Sequence, residues 1–163
     1  QWAGQWRLIT DRVMGGGSQG DLQPGSYLGR DCLRLRATVS TANNGGFAQM
    51  ALDLAEDGRF DASEYTGLAL EVAGNGERYN LHLRTSDLWL PWQSYRATFI
   101  AEGWREIRIP FTAFEAYRTS RRLRTERLER VGLVAIGRDF EADLCLGSLR
   151  LYRAPEDAPD AEG

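Results

Sequence analysis

At 163 residues the chain has room for one domain with a sizeable core and none for a second folded domain. Hydrophobic residues at 42%, charged at 26% and aromatic at 10% match a globular chain and exclude general disorder, while a net charge of −3 argues against the clustered cationic surface that a nucleic-acid backbone requires. All 20 basic residues are Arg, which reads as the coding bias of a bacterial genome, since 20 separate demands for a guanidinium are implausible.

The first feature along the chain is a glycine-rich string, Asp11-Arg12-Val13-Met14-Gly15-Gly16-Gly17-Ser18, and a second follows at Asn43-Asn44-Gly45-Gly46-Phe47. Glycine at this density requires backbone turns at positive φ or close approach with no Cβ in between. A flexible linker would hold Gly and Ser alone, whereas Val13, Met14 and Phe47 are placed to anchor these loops on a core. The side chains of Asp11, Ser18, Asn43 and Asn44 can satisfy the amides that such turns leave free; the competing role is direct contact with a partner.

Alternation of apolar and polar residues then predicts strands at 32–39, 47–54, 68–73, 79–85, 95–100, 106–109, 131–136 and 144–152. Single helical turns are expected at 62–65, 111–117 and 125–130. Short strands broken by Gly, Asn, Asp and Pro predict an all-β, antiparallel β-sandwich of the jelly-roll kind over residues 1–153. Tyr65, Leu68, Leu70, Val72, Trp104, Ile107, Ile109 and Phe111 can face one core between two sheets, and Pro110 stops its strand for want of an N–H. Residues 154–163 are acidic with no apolar anchor, so a disordered tail is expected.

Cys32 and Cys145 are too few for a disulfide framework and lack metal-ligand spacing. Each sits in an apolar strand pattern, which favours buried reduced thiols; a Cys32–Cys145 bridge is the alternative, because terminal strands of a sandwich often pair. No run of apolar residues is long enough for a membrane-spanning helix, and no signal segment opens the chain. The chain starts at Gln1 rather than Met, with the expectation that a cleaved leader or a cloning boundary precedes it. A cytoplasmic localisation is expected, with peripheral attachment to the inner membrane as the alternative.

Binding residues are sought on the outward face of the 79–85 strand. Its alternation sends Tyr79, Leu81 and Leu83 inward and leaves Asn80, His82 and Arg84 outside. Neighbouring strands could add Gln49, Glu71, Arg96 and Thr98, and the Asp87-Leu88-Trp89-Leu90-Pro91-Trp92-Gln93 loop places Trp89 and Trp92 beside them. The alternative is that one of the two tryptophans is simply buried. The run holding Arg118, Arg121, Arg122 and Arg124 is either a solvated loop or a docking segment for an acidic partner or an anionic membrane. With one histidine, no identifying carboxylate spacing and no phosphate-loop ending after Gly15-Gly16-Gly17-Ser18, no catalytic residue, metal or cofactor is expected.

Asp-x-Val-Met-Gly-Gly-x-Ser at Asp11 to Ser18, followed by Asn44-Gly45-Gly46-Phe47, resembles the signature of the complex I intermediate-associated protein 30 family. The resemblance continues through Gly74 to Tyr79, Gly103-Trp104, Ile109-Pro110-Phe111, Phe114, Phe140 and Leu144 to Leu151, almost the whole chain. The middle of the chain also resembles the galactose-binding-like jelly roll of many carbohydrate-binding modules. The family resemblance implies a non-catalytic assembly factor or chaperone. Its partners would be subunits or intermediates of NADH:ubiquinone oxidoreductase or a related membrane complex. The alternatives are a carbohydrate-binding module, with Trp89 and Trp92 stacking on sugar rings and Gln49, Glu71, His82 and Arg84 binding hydroxyls, and a permanent accessory subunit. Fold alone cannot choose among these.

Overall fold

In the computed structural model, which describes residues 6–55 and 59–154, two antiparallel sheets enclose one core. The strands are β1 (Arg7–Thr10), β2 (Gln19–Tyr27), β3 (Arg30–Val39), β4 (Phe47–Asp53), β5 (Gly67–Gly74), β6 (Arg78–Thr85), β7 (Ser94–Ile100), β8 (Arg105–Pro110), β9 (Glu115–Tyr117), β10 (Leu128–Ile136) and β11 (Phe140–Tyr152). One sheet has the order β1-β4-β10-β6-β7-β9 and the other β2-β3-β11-β5-β8. Every strand pairing within the two sheets is antiparallel, and β2–β3 and β6–β7 are joined directly as hairpins. The all-β sandwich expected from the sequence is therefore the fold.

Alternation explains the two layers. Leu35, Leu70, Val72, Leu144 and Ile109 project inward from one sheet to meet Met50, Leu81, Leu83, Phe99 and Leu133 from the other. Each fully buried apolar side chain of this size contributes roughly 1.5–3 kcal/mol by leaving water. Tyr79 is wholly buried yet keeps its polarity satisfied: its hydroxyl donates to Asn75 Oδ1 at 2.6 Å and accepts from the Asp143 amide at 2.9 Å.

Three strands carry no signal that alternation could catch. β2 is an edge strand, exposed over most of its length and interrupted by Pro24, and pairs only with β3. β1 and β9 are short edges of the other sheet. The expected helical turn at 111–117 is a 3-10 turn over Phe111–Ala113 followed by β9, and that at 125–130 is a 3-10 turn over Thr125–Arg127 running into β10. The 62–65 turn is present, closed by the Tyr65 amide donating to the Ala62 carbonyl at 3.0 Å.

One core assignment changes. Tyr65, Ile107 and Phe111 pack at the core's margin, whereas Trp104 lies beneath the Arg30 guanidinium at 4.6 Å and donates from Nε1 to the Tyr27 carbonyl at 2.7 Å. The favoured reading of the cysteines is overturned: Cys32 and Cys145 form a disulfide, with Cα atoms 5.5 Å apart. The reason is register. β3 and β11 are neighbours, and Leu144 and Leu146 point into the core, so Cys145 points to the other side of its sheet, where Cys32 can reach it. The tail expected to be disordered lies outside the described residues from 155 onward. Among the described residues no helix is long and apolar enough to cross a membrane.

Candidate functional site

The glycine strings become one structural unit around a carboxylate. Thr10 caps a 3-10 turn over Asp11–Met14, and Gly15 leaves it in the left-handed region at φ 85°. This places the wholly buried Asp11 side chain between the β1–β2 and β3–β4 connections. Its oxygens accept from the Ser18 amide at 2.9 Å, the Ser18 hydroxyl, the Gly46 amide and the Phe47 amide at 3.0 Å. Ser18 extends the network, its Oγ accepting from the Ser40 amide at 2.8 Å. A Cβ at Gly16 would lie 2.6 Å from Asp11 Cγ and one at Gly45 would lie 2.7 Å from Asp11 Oδ2, so both glycines are needed to let the loops close on this carboxylate. Burial raises the Asp11 pKa, but the hydrogen bonds from Ser18, Gly46 and Phe47 outweigh it and hold the carboxyl below its ordinary value.

This is the loop-bracing role for Asp11 and Ser18. Asn43 adds a hydrogen bond from Nδ2 to the Gly15 carbonyl at 3.2 Å; the side chain of Asn44 lies outside the described residues. Phe47 is half-buried, but Val13 and Met14 do not anchor the loop: they are 75% and 62% exposed. The hydrogen-bonded carboxylate fixes the turn without them, which frees both side chains to face solvent.

The outward face of the six-stranded sheet assembles most of the other candidates in rows. Gln49 of β4, Val134 of β10, Asn80 of β6 and Thr98 of β7 lie side by side; the next row runs Ala51, Gly132, His82, Arg96 and Glu115. Glu71 is not there: it lies on β5 in the other sheet, where it pairs with Arg30. Strands of the two sheets share the same alternation, so residue pattern could not assign it.

His82 is half-buried, and burial together with the positive Arg96 beside it depresses its pKa to about 3. The neutral ring pairs with Asn80, Nδ2 to Nε2 at 3.2 Å, which assigns the imidazole proton to Nδ1. His82 is therefore a neutral hydrogen-bonding group at any physiological pH. Its signals in an NMR titration are expected to stay flat between about pH 5 and 8. Because the folded pKa lies below the unfolded value, His82 supports the fold above pH 6.5, and that support is lost as pH falls from there toward about 3.

Beside it, Asn80, Arg96, Thr98, Glu115 and Tyr117 line a groove of about 330 Å³. The Arg96 guanidinium stacks 3.5 Å from the Tyr117 ring centre and donates from Nε to Ser94 Oγ at 2.9 Å. Burial lowers its pKa, yet among the described residues no carboxylate stands within 4.0 Å of it. Tyr117 was not among the expected residues, because a three-residue edge strand is too short to show alternation.

Arg84 has a different task from ligand binding. Its guanidinium donates to the carbonyls of Leu90 at 3.0 Å, Gln93 at 2.7 Å and Leu88 at 3.3 Å, gripping the β6–β7 loop from below. Gln93 closes the grip: Oε1 accepts from the Trp89 and Leu90 amides at 3.2 and 3.1 Å, and Nε2 donates to the Arg118 carbonyl at 3.1 Å. Neither tryptophan is buried. Trp89 is 85% exposed, Trp92 56% and Leu90 42%, while Leu88 is the buried root of the loop. Gln93 carried no sequence signal beyond being polar in an apolar loop.

The arginine segment lies against the same loop. The Tyr95 hydroxyl donates to the Arg121 carbonyl at 2.8 Å, and half-buried Asp87 faces Arg127 at 3.4 Å and Arg124 at 3.9 Å. Arg118, Arg121 and Arg122 are exposed.

Comparison with solved structures finds the same fold in binding modules. The family 11 carbohydrate-binding module of a cellulosomal cellulase of Clostridium thermocellum aligns with a TM-score of 0.73 at 13% identity, over 92% of this chain and 88% of that one. The family 30 module of another cellulosomal cellulase of Clostridium thermocellum aligns with a TM-score of 0.61 at 13% identity, over 94% and 88%. An agarase aligns with a TM-score of 0.62 at 9% identity, over 93% of this chain but 24% of the enzyme. At these identities the likeness is one of fold. Curated protein sequences give no significant match. The sequence profile of the complex I intermediate-associated protein 30 family matches residues 2–146, spanning the Asp11 carboxylate and the two glycine loops that close on it, and the chain belongs to that family.

Proposed function

We propose that this chain is a non-catalytic binding module that attaches to partly built NADH:ubiquinone oxidoreductase, or a related membrane complex, as an assembly factor. The family supports a role connected with that complex. The observation that carries the reading is Arg96, a half-buried guanidinium with no carboxylate partner among the described residues, set beside neutral His82 and open to the groove under Tyr117. Keeping such a charge partly out of water is costly, and an incoming carboxylate or carbonyl group offsets the cost, which is how arginine anchors act in interfaces. The client segment is accordingly expected to be acidic or rich in free carbonyls.

The test is affinity purification of the tagged protein from gently solubilised membranes, with mass spectrometry of what is retained. Subunits of the oxidoreductase are expected, and Arg96→Ala, checked for unchanged thermal stability, should reduce their recovery by about tenfold or more. Retention of no membrane-complex subunit would sink the reading.

A carbohydrate-binding reading is favoured by the fold likeness and by the exposure of Trp89 and Trp92. In this form it loses Glu71, which is on the other sheet, and Arg84, whose donors are committed to the loop. It predicts affinity for a glycan that disappears in Trp92→Ala.

A further inference from the structure

We propose that the Trp89 to Trp92 loop and the arginine segment beside it form one docking surface for an anionic lipid bilayer. The proposal does not depend on client binding through Arg96, since it uses other side chains.

Three observations converge. Trp89, Leu90 and Trp92 project together from a loop whose backbone is held by Arg84 and Gln93, so their insertion needs little ordering of the backbone. Arg118, Arg121 and Arg122 are exposed, and among the described residues none has a carboxylate within 4.0 Å. They are fixed next to the loop by their own carbonyls, which accept from Gln93 and Tyr95. The acidic residue of the loop, Asp87, is turned inward between Arg124 and Arg127, so the surface presents aromatic and cationic groups with no opposing charge from it. The chain as a whole is net negative at −3, so attraction to anionic headgroups requires a local cluster of cations such as this one.

The chemistry fits a bilayer better than a protein. Tryptophan settles at the headgroup boundary because its ring is apolar and its N–H is polar, and arginines near an anionic surface each add to the attraction. Three apolar side chains on a loop tip fall well short of the roughly 800 Å² per partner that a stable protein interface buries, whereas a fluid bilayer needs no matching shape.

The experiment is co-sedimentation of the protein with vesicles of phosphatidylcholine alone and of phosphatidylcholine with phosphatidylglycerol, at low and high salt, together with Trp emission. Binding is expected only to the anionic vesicles, weakened by salt and accompanied by a blue shift. Both Trp89→Ala/Trp92→Ala and Arg118→Ala/Arg121→Ala/Arg122→Ala should lower the partition by about tenfold or more, and the first should abolish the shift. No binding to anionic vesicles at low salt overturns the proposal. So does binding that the tryptophan pair does not affect, which would be unspecific charge attraction. Loss of client capture in the tryptophan variant without any vesicle binding would make the loop a protein contact instead; vesicle binding without client capture would keep the proposal and remove the assembly reading.

Discussion

Removing the Cys32–Cys145 bridge is expected to lower stability by about 4–5 kcal/mol, the loop-closure value for a cross-link enclosing on the order of 100 residues. The two cysteines are 113 residues apart, so the bridge closes most of the described chain and restricts the unfolded ensemble strongly. A domain of this size is stable by only about 5–15 kcal/mol, so the loss is a large fraction of the whole. The bridge ties β3 to β11, the strand that also pairs with β5, and so reinforces the middle of the five-stranded sheet. Urea unfolding of the oxidised protein, the reduced protein and Cys32→Ser/Cys145→Ala should show the midpoint fall together in the last two. An unchanged midpoint would mean that the bridge is absent in solution. Alkylation of free thiols in intact cells adds a second readout, since cytosolic reductants keep such pairs reduced and oxidising compartments do not.

Asp11→Ala is expected to cost about 3–4 kcal/mol, because the buried amides of Ser18 and Gly46 and the half-buried amide of Phe47 would lose their acceptor at once. Asn preserves the volume and can keep a carbonyl oxygen facing Gly46, Phe47 and the Ser18 hydroxyl, opposing only the Ser18 amide with its NH₂, so Asp11→Asn should recover part of the loss. The effect has a pH signature. The folded pKa lies below the ordinary value of 3.8, so the carboxylate's stabilisation is complete above that pH and disappears as pH falls through the lower folded value. Thermal melts across this range should show a decline in the native protein that is reduced in Asp11→Ala. A decline of the same size in both would place the acid sensitivity elsewhere, for example at Asp53, whose carboxyl Arg7 and Arg130 hold below its ordinary value.

The two effects fall at separate places, and so do the two binding readings. Arg96 is embedded in the face of β6, β7 and β9, while Trp89 and Trp92 stand at the end of β6, held by hydrogen bonds that leave their rings free. Variants at the loop should therefore change attachment without moving the melting temperature, which separates binding from folding in the vesicle test.

Much of this was legible in the residues themselves. Strands β3 to β8, β10 and β11 repeat apolar side chains at every second position because each has one face on the core, and that alone predicts a two-layer sandwich. The same alternation placed Asn80, His82 and Arg84 outside and Tyr79, Leu81 and Leu83 inside, and the paired glycine strings with Asp11 identified the family and its bracing carboxylate. What no local pattern contains is which strands lie together. Edge strand β2, solvated along most of its length, has no period to read; Glu71 went to the opposite sheet; and the cysteine pair depended on a register set by residues more than a hundred positions apart. Whether Trp89 and Trp92 were core or surface was decided by Arg84 and Gln93, whose hydrogen bonds to the loop backbone satisfy it at the surface and remove the need to bury its rings. Alternation reports burial of a single strand against water, whereas sheet order, register and loop bracing are decided by long-range pairing, and that is settled only when the whole chain folds.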